Sequence, residues 1–298
     1  TKDVRLAVSR PDLNWGYTDG ALMGLEERSF YLHTAGAGSL GKRYWYGIKP
    51  TLTKLIMQYR NQLTSSDFNQ EILEILQERV RELPSIGPTW SVLVDPGSDL
   101  PERRSLTLII LSPEYPYNEN GAVTCPARKR VLEISQKCGT RERLYRNTLL
   151  FLLPSPRGLG RLRSALRDLE ALRSVKRDYD GQLDVEQTED LAKRLEAASA
   201  KVNEALGSAY SYLAQVQGQE VEVEPLSNGK PSFAEHLQSV WRQAIDEYEW
   251  ILQKVGLVTL QQSGLVPKEG GIRVKEAVET FLRYTDKHIV VSRDAVLQ

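Results

Sequence analysis

The chain has 298 residues, with 39 Lys/Arg against 39 Asp/Glu, 41% hydrophobic residues and 26% charged ones. Such proportions belong to a globular protein of about two or three domains, and its longest apolar runs, Leu106–Leu111 and Leu149–Leu153, fall far short of the ~20 residues a membrane helix needs. The only cysteines, Cys125 and Cys138, match no zinc or redox spacing and read as reduced structural thiols of a cytoplasmic protein, with no charged-then-apolar leader ahead of them.

From the N-terminus, Val4–Val8 fits a short helix closed by the turn formers Pro11, Asp12 and Asn14. Thr18 is placed to cap a helix with Ala21, Leu22 and Leu25 on its apolar side. Residues 33–46, HTAGAGSLGKRYWY, then satisfy G-x-x-x-x-G-K from Gly36 to Lys42, the opening of a phosphate-binding loop. Such a loop needs a Ser or Thr next, for magnesium, and a helix behind it; here Arg43 follows, then Tyr44, Trp45 and Tyr46, which favour a strand. With the aromatic run Phe30–His33 before it, the stretch reads as a β-hairpin with a glycine-rich tip. Helix, turn, helix and hairpin is the order of a winged helix whose first helix is missing.

Helices are expected at Thr51–Leu63 and Asp67–Leu83. Three near-continuous apolar runs follow, Trp90–Val94, Leu106–Leu111 and Thr148–Leu153, the pattern of strands buried on both faces in an α/β layer. A helix at Ala127–Lys137 lies between the last two. Leu159–Tyr179 carries leucines at helical spacing, and Glu186–Tyr212 continues as an alanine-rich helix. Gln219–Glu224 alternates apolar and acidic residues like a guarded edge strand, and Asn228-Gly229 marks a turn. Beyond it come a helix Phe233–Val255, a short strand Leu257–Leu260 and a helix Val274–Tyr284. The fold class is mixed α/β and helix-rich, in three parts: a winged helix plus connecting helix at 1–63, an α/β module with a basic helix at 64–180, and an acidic helical region with an edge strand at 181–298. Thr1 at one end and a barely begun helix from Ser292 at the other give both ends the look of cuts from something longer.

The neutral average hides a division. Residues 126–177 hold 14 Lys/Arg against 4 Asp/Glu, a net of +10, and residues 178–249 hold 5 against 15, a net of −10. The first block could face a polyanion or the second block. Candidate nucleic-acid contacts are Tyr17 and Thr18 on the second helix, Lys42 and Arg43 on the wing, and Arg157, Arg161, Arg163 and Arg167 along the basic helix. A solvated helix face explains the same arginines, and Asp19, Glu26 and Glu27 make the second helix an awkward surface against phosphates. Arg146 could act in trans on a neighbour's nucleotide. Asp95 and Asp99 stand after an apolar strand, where magnesium carboxylates are often found, but a turn rich in Asp, Pro and Gly explains them without a function, and no metal is assigned there. The three histidines are scattered, no G-x-S-x-G elbow occurs, and no catalytic, cofactor-binding or metal-binding set is assigned.

Four stretches in order, Val4–Pro11, Arg43–Leu55, Leu144–Leu153 and Glu279–Tyr284, resemble the C-terminal half of the large P-loop ATPases grouped as domain of unknown function four-ninety-nine. These lie beside DNA methyltransferases in prokaryotic phage-defence islands. The resemblance implies an AAA-type parent whose ATP- and magnesium-binding residues lie upstream of Thr1, with no counterpart in this chain, and a helical or second winged-helix segment at the end of the chain. It implies a non-catalytic region that couples nucleotide state to DNA or to partners: the upstream ATPase domain, other defence subunits or a second copy. A protein-interaction module without nucleic acid, and an independent nucleotide-binding enzyme, are the alternatives.

Overall fold

The computed structural model describes the chain except residues 1, 9, 11–13, 30, 37–40, 48–49, 64–67, 84–90, 98–99, 120–124, 228–231, 266–271 and 292–298. It is mixed α/β and rich in helix, and it forms two compact units, Thr1–Thr64 with Leu166–Ser199, and Ser65–Ala165 with Ala200–Gln298.

The first unit opens with α1 (Lys2–Val8) and α2 (Trp15–Arg28), followed by the antiparallel strands β1 (Leu32–Ala35) and β2 (Arg43–Tyr46) and by α3 (Leu52–Gln62). The expected hairpin is therefore present, although its tip residues 37–40 lie outside the described residues. Helix α2 starts earlier than the sequence implies. Asn14 is the cap, its side-chain oxygen accepting from the Gly16 amide at 2.9 Å, so Thr18 lies inside the helix. Both residue types cap well; Asn14 prevails because Trp15–Tyr17 are already helical. Leu22 is buried while Met23 and Leu25 stay exposed. Thr51 caps α3 through the Lys54 amide, and Leu52 and Leu55 are buried. The later part of α6 (Pro156–Asp178) belongs to this unit and meets α3 through Arg60–Asp168 at 2.7 Å and Tyr59–Asp178 at 2.6 Å.

The second unit is built on a five-stranded sheet ordered β3-β4-β7-β8-β9. Strands β3 (Ser91–Val94), β4 (Thr107–Ile110) and β7 (Leu149–Leu153) are parallel, with Val92 beside Leu108 and Leu108 beside Leu150. They fall on the three apolar runs, although Trp90 lies outside the described residues. Helix α5 (Pro126–Gln136) lays Ala127, Val131 and Ile134 against Ile109, Leu111, Phe151 and Leu153, while the alternate residues Leu108, Ile110, Leu150 and Leu152 are fully buried on the other face. A short hairpin of β5 (Lys137–Cys138) and β6 (Arg141–Glu142) leads from α5 towards β7. Helix α4 (Asn69–Glu82) packs beside β3.

Strands β8 (Tyr212–Gln217) and β9 (Glu220–Pro225) add antiparallel to β7. Strand β9 is the expected acidic edge, but β8 corrects the sequence reading, which carried the preceding helix to Tyr212. Helix α7 (Val185–Ala209) stops before Tyr210, whose ring is fully buried and whose hydroxyl donates to the Leu111 carbonyl at 3.0 Å. That bond fixes the chain at the sheet and starts a strand.

Beyond β9, α8 (Phe233–Arg242) runs into a π turn at Gln243–Glu247, and Glu249 takes a left-handed φ of 54°. The expected helix to Val255 therefore ends early, and β10 (Ile251–Leu252) pairs in parallel with β11 (Ile289–Val290). The expected strand at 257–260 is helix α9 (Leu257–Gln262), followed by α10 (Val274–Arg283). Buried Asn147 ties this segment down, its amide donating to the carbonyls of Phe281 (2.8 Å), Lys287 and His288 (both 3.1 Å). The turn at 228–229 and the helix start at Ser292 lie outside the described residues. Among the described residues no helix is long and apolar enough to cross a membrane.

Candidate functional site

In the hairpin, Leu32, Thr34, Tyr44 and Tyr46 alternate with His33, Ala35, Arg43 and Trp45. The first set turns to α2: Leu32 is buried, and the Thr34 hydroxyl donates to Glu26 at 2.9 Å. Arg43 and Trp45 therefore look the other way. The Trp45 ring stacks on His33 with centroids 5.8 Å apart and planes 18° from parallel, and Gly47 leaves room for it, since a Cβ there would meet the imidazole at 2.5 Å. Arg43 is exposed and has no ion pair among the described residues. Tyr17 on α2 is 75% exposed and Tyr46 on β2 76%.

Lys42 is placed differently from its neighbour. Its ammonium holds both oxygens of Glu26, at 2.7 and 2.5 Å, and Arg5 holds Asp19 in the same manner. Two of the acids that made α2 awkward against phosphate are thus matched by cations of the same unit. Lys42 is consequently a neutralising residue, and the chain after it enters β2, where a phosphate-binding loop would enter a helix.

The basic helix α6 does not present its four arginines as one row. Two residues of helix turn the chain by about 200°, so Arg157 and Arg161 lie on one face and Arg163 and Arg167 on another. The first pair is exposed and has no side-chain partner among the described residues. Arg163 donates to Asn69 at 2.8 Å and is half-buried, as is Arg167, which is engaged too. Thr18 is half-buried inside α2.

No protein-family model matches the chain, and comparison with curated proteins and with solved structures finds no match.

Much of the +10 block serves the interior of the second unit. Arg128 donates to the Val221 carbonyl at 2.6 Å and lies over the Tyr117 ring. Arg130 pairs with Glu133 and reaches the Pro96 carbonyl. Arg143 is buried, its guanidinium donating to the carbonyls of Ile134 (3.0 Å), Leu100 (2.9 Å) and Lys137 (3.1 Å), where it closes the end of α5. Burial lowers its pKa from an ordinary value far above neutrality. Arg146, the candidate for action in trans, donates to the Arg143 carbonyl at 3.0 Å and to Glu142 at 3.3 Å.

At the carboxyl end of β3, Asp95 adopts a left-handed φ of 39°, and its Oδ1 is buried without a hydrogen bond. Burial raises its pKa, with Arg130 pulling the other way and Glu114 adding to the rise. The companion Asp99 lies outside the described residues. Among the described residues no group of three His, Cys, Asp or Glu side chains is placed to hold a metal.

Sequence reasoning missed the His33–Trp45 stack and the clamp made by Asn147. The first was accessible from register, because an antiparallel hairpin centred on residues 38–40 pairs 33 with 45. The second leaves no local signal.

Proposed function

We propose that this chain is a non-catalytic binding region of a P-loop ATPase of the defence-island kind it resembles, and that its α1–α2–hairpin part acts as a winged helix that touches the DNA backbone. The observation that carries the reading is the charge arrangement of that unit. Asp19 and Glu26 are paired with Arg5 and Lys42, while Arg43, Trp45, Tyr17 and Tyr46 remain exposed. Arg43 and Trp45 share one face of the hairpin, and a cation beside an exposed ring suits phosphate contact and base stacking, while Tyr17 and Tyr46 offer rings on the other side. Arg157 and Arg161 supply a separate exposed pair. Of the two forms expected for the C-terminal segment, we keep the helical one, since β10 and β11 are parallel where a wing would be antiparallel. ATP and magnesium belong to the parent's upstream domain in this reading, and a cytoplasmic location goes with it.

Fluorescence anisotropy with labelled duplex and single-stranded DNA, at low and moderate salt, tests the proposal. Binding at low salt that weakens steeply with added salt is expected; absence of binding at low salt removes the DNA role. A protein-interaction role is the second reading, favoured by the exposure of Leu6, Val8, Met23 and Leu25 on α1 and α2. Under it, the exposed rings and aliphatic groups meet a partner subunit, and DNA has no effect on the complex.

A further inference from the structure

A cavity of about 360 Å³ in the second unit is lined by Arg104, Lys275, Val278, Glu279 and Leu282. Four of these lie on α10 at spacings of three and four residues, so they share one face of the helix. Val278 and Leu282 belong to the small core with Tyr145 and Phe281, and they give the cavity an aliphatic floor.

The charged groups around that floor are unequal. Arg104 is fixed in place: its Nε and Nη2 donate to the Tyr145 hydroxyl at 2.9 and 2.7 Å, and Nη2 also meets Glu279 at 2.9 Å. Glu279 takes a second guanidinium, Arg283, at 3.2 Å. The single carboxylate is thus shared by two arginines. Lys275 is exposed and has no ion pair or hydrogen bond among the described residues, so the mouth carries an excess of positive charge.

We infer that this cavity is a binding site for a small organic anion, with one carboxylate or phosphate group between Arg104 and Lys275 and an apolar portion on Val278 and Leu282. The volume lies within the usual range of small-molecule sites, about 300–1,000 Å³, and an apolar surface with a few placed charges is their usual lining. A guanidinium already held by Tyr145 and Glu279 loses little side-chain freedom on binding, which favours affinity. Inorganic phosphate alone would leave unused the narrow aliphatic strip that Val278 and Leu282, 5% and 4% exposed, show to the cavity, so the guest has both parts.

The test titrates the full chain with hexanoate, hexyl phosphate, inorganic phosphate and hexanol, followed by calorimetry or ligand-observed NMR. At least one hexyl anion is expected to saturate in the millimolar range or below, with inorganic phosphate and hexanol at least about tenfold weaker. The better of the two anions identifies the headgroup. Lys275→Glu should weaken that binding at least about tenfold, because an attractive charge becomes a repulsive one. Arg103→Glu, an exposed cation outside the lining, should change it less than about twofold. Failure of both hexyl anions to saturate by about 20 mM, indifference to Lys275→Glu, or equal binding of inorganic phosphate would each overturn the inference.

Discussion

Replacing Arg143 by methionine keeps much of the side-chain volume and removes every donor. Three carbonyls, those of Ile134, Leu100 and Lys137, then lose bonds of 2.9–3.1 Å. A hydrogen bond involving a charged group contributes about 1.5–3 kcal/mol, and a buried carbonyl left without a donor costs about 1–3 kcal/mol. Against that, the variant no longer buries a guanidinium, whose desolvation costs several kcal/mol. The net expectation is a loss of about 2–4 kcal/mol, centred on the end of α5 and the hairpin β5–β6. Because the chain has two units, a single unfolding midpoint would blur the effect. Hydrogen exchange read on peptides from α5 through β7 is the suitable assay, and about 3 kcal/mol corresponds to exchange roughly a hundredfold faster. Exchange within about twofold of the parent chain would refute the structural role of Arg143. So would unchanged exchange combined with a shallower salt dependence of DNA binding, which would place the guanidinium against phosphate.

Other consequences are equally direct. Gly158→Ala sets two effects against each other: helix propensity favours alanine by about 1 kcal/mol, but the new Cβ would stand 2.6 Å from the Ala209 Cα and 2.8 Å from the Ser208 carbonyl. Those are backbone atoms with little room to yield, so hydrogen exchange over the start of α6 and the end of α7 should report a loss of about 1–3 kcal/mol; a gain would refute the close approach. Asn147→Leu leaves the Phe281, Lys287 and His288 carbonyls without their shared donor, and exchange over residues 281–291 should accelerate at least about tenfold. Tyr59 and Tyr212 are held in the phenol form, with pKa values raised to about 12, by the hydrogen bond to Asp178 in the first case and by burial in the second, with Glu119 adding to it. A raised phenol pKa stabilises the folded state below the ordinary value of 10.0, and the contribution disappears as pH climbs from 10.0 to about 12. Alkaline absorbance titration should show late-ionising phenols, one fewer in Tyr212→Phe; a single transition near pH 10 in the folded chain would contradict both contacts.

Strands β4 and β7 were legible because parallel strands covered on both faces must be apolar at nearly every position, whereas β3, read the same way, is an edge strand whose residues are all half-buried. Acidic alternation marked β9 for the opposite reason, since an edge strand has one face in water. Strand β8 was not legible. Its sequence YLAQVQ follows an alanine-rich helix without proline or glycine between them, and the break is made by the tertiary bond of Tyr210 to Leu111. Helix α9 shows the same ambiguity reversed: LVTL is too short for periodicity to separate strand from helix.

The candidate site was legible as composition and not as geometry. Lys42 and Arg43 are adjacent in sequence, yet Lys42, just ahead of β2, is spent on Glu26, while Arg43 opens the strand on the face turned away from α2 and is exposed. Likewise the +10 block contains Arg128 and Arg143, whose partners are backbone carbonyls of distant segments. Charge counts cannot separate such arginines from the exposed Arg157 and Arg161; only packing does.

The salt dependence of duplex DNA binding, compared between the parent chain and Arg43→Ala, tests the central claim most directly. The expected result is measurable binding at low salt, with the slope of log Kobs against log[salt] reduced by about 1 in the variant. Binding that is absent at low salt, or a slope the variant leaves unchanged, would contradict the assignment of the hairpin to the DNA backbone.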